Sequence, residues 1–199
     1  MRSNLILLAT FLLGVVIGAY VGGGEFLEAY DVSSYLLYLL MFTVGLSVGN
    51  DSETIRGFRE LPWYVLLLPF LTIIGSLFGG AVATILLSRS LFPTLAIASG
   101  MGYYSLSSII ITEKLGLSIG VIALLANIFR ELITIIFAPA MSMHFGPYAP
   151  IASGGATTMD VTLPAILTSS GKEYLVTSIY HGFVCDLSVP ILVSLFVGL

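Results

Sequence analysis

The sequence predicts an all-α integral membrane protein, a polytopic helical bundle with two discontinuous or re-entrant segments. Three observations predict it. Charge is scarce, with 7 Lys+Arg and 11 Asp+Glu among 199 residues, or 9%, against roughly 25% in soluble domains. Apolar residues make up 57% of the chain and the mean hydropathy is +1.06. The apolar runs are long and uninterrupted, whereas barrel strands alternate over about ten residues. A soluble fold needs a charged skin that this chain cannot supply. That excludes a cytosolic globular enzyme and a disordered chain. Only 7 basic residues leave phosphate backbones no electrostatic hold, so no nucleic acid is expected as a partner. The single Cys185 excludes a disulfide framework and a thiolate metal site, and reads as a small buried apolar side chain.

Four or five segments reach the roughly 20 apolar residues that a span needs. They are Leu5–Gly24, Ser34–Gly49, Trp63–Ser88, Ser118–Met143 and Tyr174–Leu199. The first is longer than a signal-peptide core and no A-x-A site follows, so it is expected to stay in place. Gly14, Gly18 and Gly22 share a face of the first span, Gly45 and Gly49 one of the second, Gly75 and Gly79 one of the third. Such small-residue faces let helices approach closely in lipid. Tyr30, Tyr35, Tyr38, Trp63 and Tyr64 fall near span ends and read as an aromatic belt. Arg2, Arg56 and Arg59 place the N-terminus in the cytoplasm by the positive-inside rule, with Arg89 a minor violation.

Two further apolar stretches, Phe92–Thr112 and Tyr148–Ser170, are interrupted near 99–106 and 153–161. Each carries Ile-Ala-Ser-Gly, at Ile97–Gly100 and Ile151–Gly154, followed by small or polar residues. The first break holds Ser99, Gly100, Gly102, Tyr103, Tyr104 and Ser105; the second holds Gly154, Gly155, Thr157 and Thr158. Gly costs about 1 kcal/mol in a helix interior, and Ser and Thr compete for backbone bonds. Unwound backbone at membrane depth is tolerated only inside protein or around a cavity. Paired broken helices mark secondary transporters, whose sites lie near the midplane. Asp160 precedes Val161 as an N-cap would, and Thr158 can serve likewise.

Charges far from the interface are functional candidates by default. Arg130 and Glu131 lie midway along the fourth span and point about 100° apart. Asn127 shares the face of Glu131, which can bind a cationic group, carry a proton, or both. Arg130 can act as a counter-charge for another carboxylate, or pair with a neighbour merely to hold helices together. His181 and Asp186, in the last span, are too divergent in direction to form a local dyad. Pro139 and Pro190 free the carbonyls of Ile135 and Asp186. No metal site and no cofactor are expected.

Gly100-Met101-Gly102-Tyr103-Tyr104-Ser105-Leu106-Ser107-Ser108, Thr112-Glu113, Arg130-Glu131-Leu132, Gly154 through Pro164, and His181-Gly182-Phe183 run in order along the chain. In this run the sequence resembles the lysine exporter family of the LysO type, most strongly over residues 95–190. The resemblance implies export of L-lysine, or another cationic amino acid, and of thialysine-like analogues across the bacterial inner membrane. It also implies proton antiport and an essential intramembrane Glu matching Glu131. Typical members carry about a hundred further N-terminal residues with a second important acidic residue. Residues 1–90 then read as the second copy of a three-span unit and 91–199 as the core transport region. A small companion membrane protein is expected to supply the first copy, a homo-oligomer being the other partner considered, and Asp51 stands at the place analogous to the missing acid, after the second span. Glu131, Asp160 and Asp186 suit the ammonium groups of lysine. Helix N-termini beside Gly100–Ser105 and Gly154–Thr158 suit its carboxylate. A cation channel and a non-transporting subunit are the competing readings. The protease motifs G-x-G-D and G-x-S-G are absent.

Overall fold

The computed structural model describes Leu13, Val16, Ile17, Leu46, Arg56 and residues 61–199. The chain divides into two compact units, Met1–Ile55 and Arg56–Leu199, and the second is the subject here. Outside the described residues lie the spans expected at Leu5–Gly24 and Ser34–Gly49, four scattered positions apart. So do their glycine faces, Tyr30, Tyr35, Tyr38, Arg2, Arg59 and Asp51.

Among the described residues every regular element is helical. In chain order they are α1 (Trp63–Leu66), α2 (Leu68–Leu87), α3 (Leu91–Ala98), α4 (Tyr104–Leu115), α5 (Leu117–Phe145), α6 (Tyr148–Gly154), α7 (Leu163–Ser170) and α8 (Leu175–Val197). A 3₁₀ segment, Gly155–Met159, follows α6. Three stretches are long and apolar enough to cross a membrane: Trp63–Leu87, Leu117–Phe145 and Lys172–Val197, with mean hydropathies of 2.2, 2.0 and 1.6. They coincide with the three later spans expected from the sequence. Phe78 is 71% exposed, Ile85 79% and Leu86 77%, as lipid-facing side chains should be. Pro69 stands in the first turn of α2, where a missing N–H costs nothing. Pro139 and Pro190 lie inside α5 and α8 without ending them.

Connectivity and one aromatic cluster fix the direction of each helix. Trp63, Tyr64, Tyr148 and Tyr174 stack edge to face in series, at 6.3, 6.4 and 5.3 Å between ring centroids. The starts of α1, α6 and α8 therefore lie at one level. The end of α5 joins them through Gly146-Pro147, and α5 is about 43 Å long at 1.5 Å per residue. Its start, with the end of α4, is then at the opposite level, where α2 ends and α3 begins. So α3 and α4 enter and leave on one side. Helices α6 and α7 enter and leave on the other, since Ser170 Oγ donates to Pro147 O at 2.9 Å. The two interrupted stretches are thus hairpins of opposite orientation.

Small residues let these hairpins nest. A Cβ on Gly120 would run into Thr112, and one on Gly80 would meet Ala98 at 2.8 Å. Ala96, Met101, Ile111, Ala123, Val189 and Val193 form the apolar core. Among the described residues nothing lies within 4 Å of a Cβ on Gly75 or Gly79, whose expected neighbours, the first two spans, lie outside the described residues. The glycine of α2 that packs against α3 is Gly80.

Candidate functional site

The hairpin tips meet. Ala156 N donates to Met101 O at 2.8 Å. Gly155 makes this approach possible, since a Cβ there would overlap the Met101 carbonyl. Its φ of 65° and ψ of −128° also belong to a region L side chains scarcely enter. Met101 itself has a positive φ of 41° and is fully buried.

Helix α5 passes behind both tips and holds one with each of two side chains. Asn127 accepts from Gly102 N at 2.8 Å and donates to Ala123 O at 2.9 Å and Ile97 O at 3.4 Å. It replaces the helical partners that the first hairpin loses at its break. Gly100 packs onto it so closely that a Cβ would overlap the Asn127 amide. One turn on, Arg130 Nε donates to Ser153 O at 2.8 Å and its terminal nitrogens to Ala152 O at 3.2 Å and Ser76 Oγ at 2.9 Å. A cation thus meets the carbonyl end of α6, where the helix dipole favours it. Among the described residues its guanidinium has no carboxylate partner.

Glu131 is different. Its Oε2 is buried and has no hydrogen-bond partner. Buried polar atoms are nearly always paired, so an orphan needs a reason. Asp160 lies within electrostatic range of Glu131 and of Asp186, and Tyr103 within range of both aspartates. Asp160 is exposed; Asp186 and Tyr103 are half-buried.

His181 is fully buried among hydroxyls. Thr158 Oγ1 donates to Ser178 O at 3.0 Å and Gly155 O at 2.9 Å. It must then accept from His181 Nδ1, 3.2 Å away. That leaves Nε2 to accept from Thr72 Oγ1 at 2.9 Å. The ring is a neutral Nδ1–H imidazole tying α2, the 3₁₀ segment and α8 together. Thr72→Val keeps the volume and leaves Nε2 only the weak Cys185 thiol, 3.8 Å away. It is expected to cost about 1 kcal/mol, read as a lower melting temperature in detergent. Unchanged stability would show that the Thr72–His181 hydrogen bond contributes nothing to the fold.

Several sequence candidates are thus brought together: Gly100, Gly102, Asn127, Arg130, Gly154, Gly155, Thr157, Thr158 and His181 all lie at or against the tips. Others are not. Ser105 is exposed, and the Ser99 hydroxyl bonds back to Leu95 O at 2.6 Å. Asp160 is not the N-cap of the following helix, which begins at Leu163 behind Thr162. Pro164 favours that later start, and Thr158 is engaged elsewhere. Sequence reasoning passed over Thr72, Ser76 and Ser153. Two hydroxyls four residues apart in an otherwise apolar span were the available signal. Among the described residues no trio of His, Cys, Asp or Glu is placed to hold a metal.

Membrane-length helices around two opposed, broken hairpins, held at their tips by Asn127 and Arg130, define a polytopic membrane-embedded protein. The chain belongs to the lysine exporter LysO family, whose sequence profile matches residues 8–197. A relative from Escherichia coli K12, "Lysine exporter LysO", is 37% identical over 92% of this chain. The chain spans 61% of that relative's length. A Haemophilus influenzae protein, "Putative lysine exporter", is 32% identical over 96% of both chains. No solved structure matches.

Proposed function

We propose that this chain forms the transport core of a secondary transporter that exports L-lysine and thialysine-like analogues by proton antiport. The site of action is the bacterial inner membrane, with the N-terminus in the cytoplasm. The observation that carries the reading is the buried, unpartnered Oε2 of Glu131, next in sequence to Arg130 and within electrostatic range of Asp160. One carboxylate that a proton and an ammonium must share couples their fluxes, because either excludes the other. The names of the two relatives support lysine as the cation. Asp160 and Asp186 offer the second ammonium a place to bind. Residues 91–199 are the core in this proposal. Within the three-span unit of 1–90, α2 lends Thr72 and Ser76. A companion chain with further spans belongs to the same proposal, supported by relatives of two lengths, and co-purification tests it.

The test is reconstitution into liposomes loaded with lysine and a pH-sensitive dye, the voltage clamped with potassium and valinomycin. Lysine efflux is expected to acidify the lumen, and leucine loading is not. Efflux of lysine without proton entry would defeat antiport and favour a channel.

A further inference from the structure

Arg130 carries more than its structural duties require. A guanidinium has five N–H donors. Three are used, all on neutral acceptors: Ser153 O, Ala152 O and Ser76 Oγ. Two donors and a full positive charge remain, with no carboxylate partner among the described residues. A buried charge surrounded only by neutral dipoles is under-compensated. The guanidinium borders a cavity of about 410 Å³ whose walls include Thr72, Gly75, Ser76 and Ser153. Ser76 accepts from Arg130, so its own hydroxyl proton is free to donate into the same space.

At the tips, Gly102 N is held by Asn127, Ala156 N by Met101 O, and the Tyr103 and Tyr104 N–H groups by Gly100 O and Gly102 O, which leaves the uncharged Ser105 and Leu106 N–H groups at the start of α4. The strongest anion donor set left is therefore in the Arg130 cavity. Depth selects the anion. Ser76 stands at the middle of Trp63–Leu87 and Arg130 at the middle of Leu117–Phe145, so a lipid phosphate at the membrane surface is about 15 Å away. We infer that the cavity beside α2 binds the α-carboxylate of the transported amino acid, through two N–H groups of Arg130 and the hydroxyl of Ser76. The inference rests on the transport reading above and divides the substrate's charges: carboxylate to Arg130, ammonium to the Glu131 side.

Two variants and one analogue test it on the purified full chain. Cadaverine is lysine without its carboxylate. Lysine and alanine, but not cadaverine, are expected to raise the melting temperature in detergent. In liposomes cadaverine should compete with labelled lysine at about tenfold higher concentration or more. Ser76→Ala should raise half-saturation for lysine about tenfold while leaving cadaverine competition unchanged. Gly75→Leu projects into the cavity from a position whose Cβ meets nothing. It should abolish the thermal shift by lysine in a protein that still elutes as a folded particle. The inference is overturned if no carboxylate compound stabilises the wild type, if cadaverine equals lysine, or if both variants bind lysine normally. Lysine that stabilises but does not move would overturn the export reading and leave the carboxylate site standing. Anionic lipid that displaces lysine in proportion to its content would assign the site to phosphate and overturn it too.

Discussion

Glu131→Gln is expected to abolish lysine-dependent proton movement in liposomes, a loss of at least about a hundredfold. The substitution keeps the size of the side chain. It removes the negative charge and the titratable proton together. Since Oε2 has no hydrogen-bond partner, the fold has little to lose, and stability in detergent should stay within about 1 kcal/mol of the parent. Loss of coupling without loss of stability is the signature of a carboxylate that works by binding. Undiminished coupled transport in a folded variant would sink the assignment. A large fall in stability would instead show that Glu131 is a structural prop.

Gly155→Ala should be the most damaging single methyl group in the described residues. The added Cβ overlaps the Met101 carbonyl, which is the acceptor for Ala156 N. The backbone angles add their own strain, about 1–3 kcal/mol, and the broken hydrogen bond about another 1. A loss of about 3 kcal/mol or more is expected, seen as little folded protein after extraction. Gly116→Ala is the control. Gly116 also has a positive φ, 90°, but its Cβ would meet nothing within 4 Å. Only backbone strain applies there, and the protein should survive. Equal damage from both variants would mean that the tip contact contributes nothing.

The helices were legible because each physical cue was local. Trp63–Leu87, Leu117–Phe145 and Lys172–Val197 announce themselves by length and hydropathy. The breaks were legible because Gly, Ser and Thr interrupt two apolar runs after the same tetrapeptide. What the breaks do was not. The contact runs from Met101 O to Ala156 N, and backbone groups leave no trace in side-chain chemistry. Arg130 was found by its cost at membrane depth and Asn127 by sharing the face of Glu131, yet most of their partners are backbone groups, which no composition argument can pick out. Ser76 was missed for the opposite reason. A hydroxyl in an apolar helix usually bonds its own backbone, as Thr84 does, and only the neighbouring guanidinium reveals that Ser76 does not. The N-cap assigned to Asp160 failed because a local cue was outweighed two residues later by Thr162 and Pro164.

The opposed hairpins also have an electrical consequence. They touch tip to tip at Met101 and Ala156, and in the transport reading each turns back partway through the membrane. Asp160, beside the second tip, is open to its surroundings. In that reading, water following the polar groups toward the tips would carry the potential of each bathing solution with it. The transmembrane voltage would then fall across the thin seal between the tips rather than across the full hydrocarbon thickness of about 30 Å. Moving one elementary charge through that seal would do nearly all the work available, about 2.3 kcal/mol per 100 mV. A displacement of a few ångströms would suffice to exchange energy with the whole membrane potential.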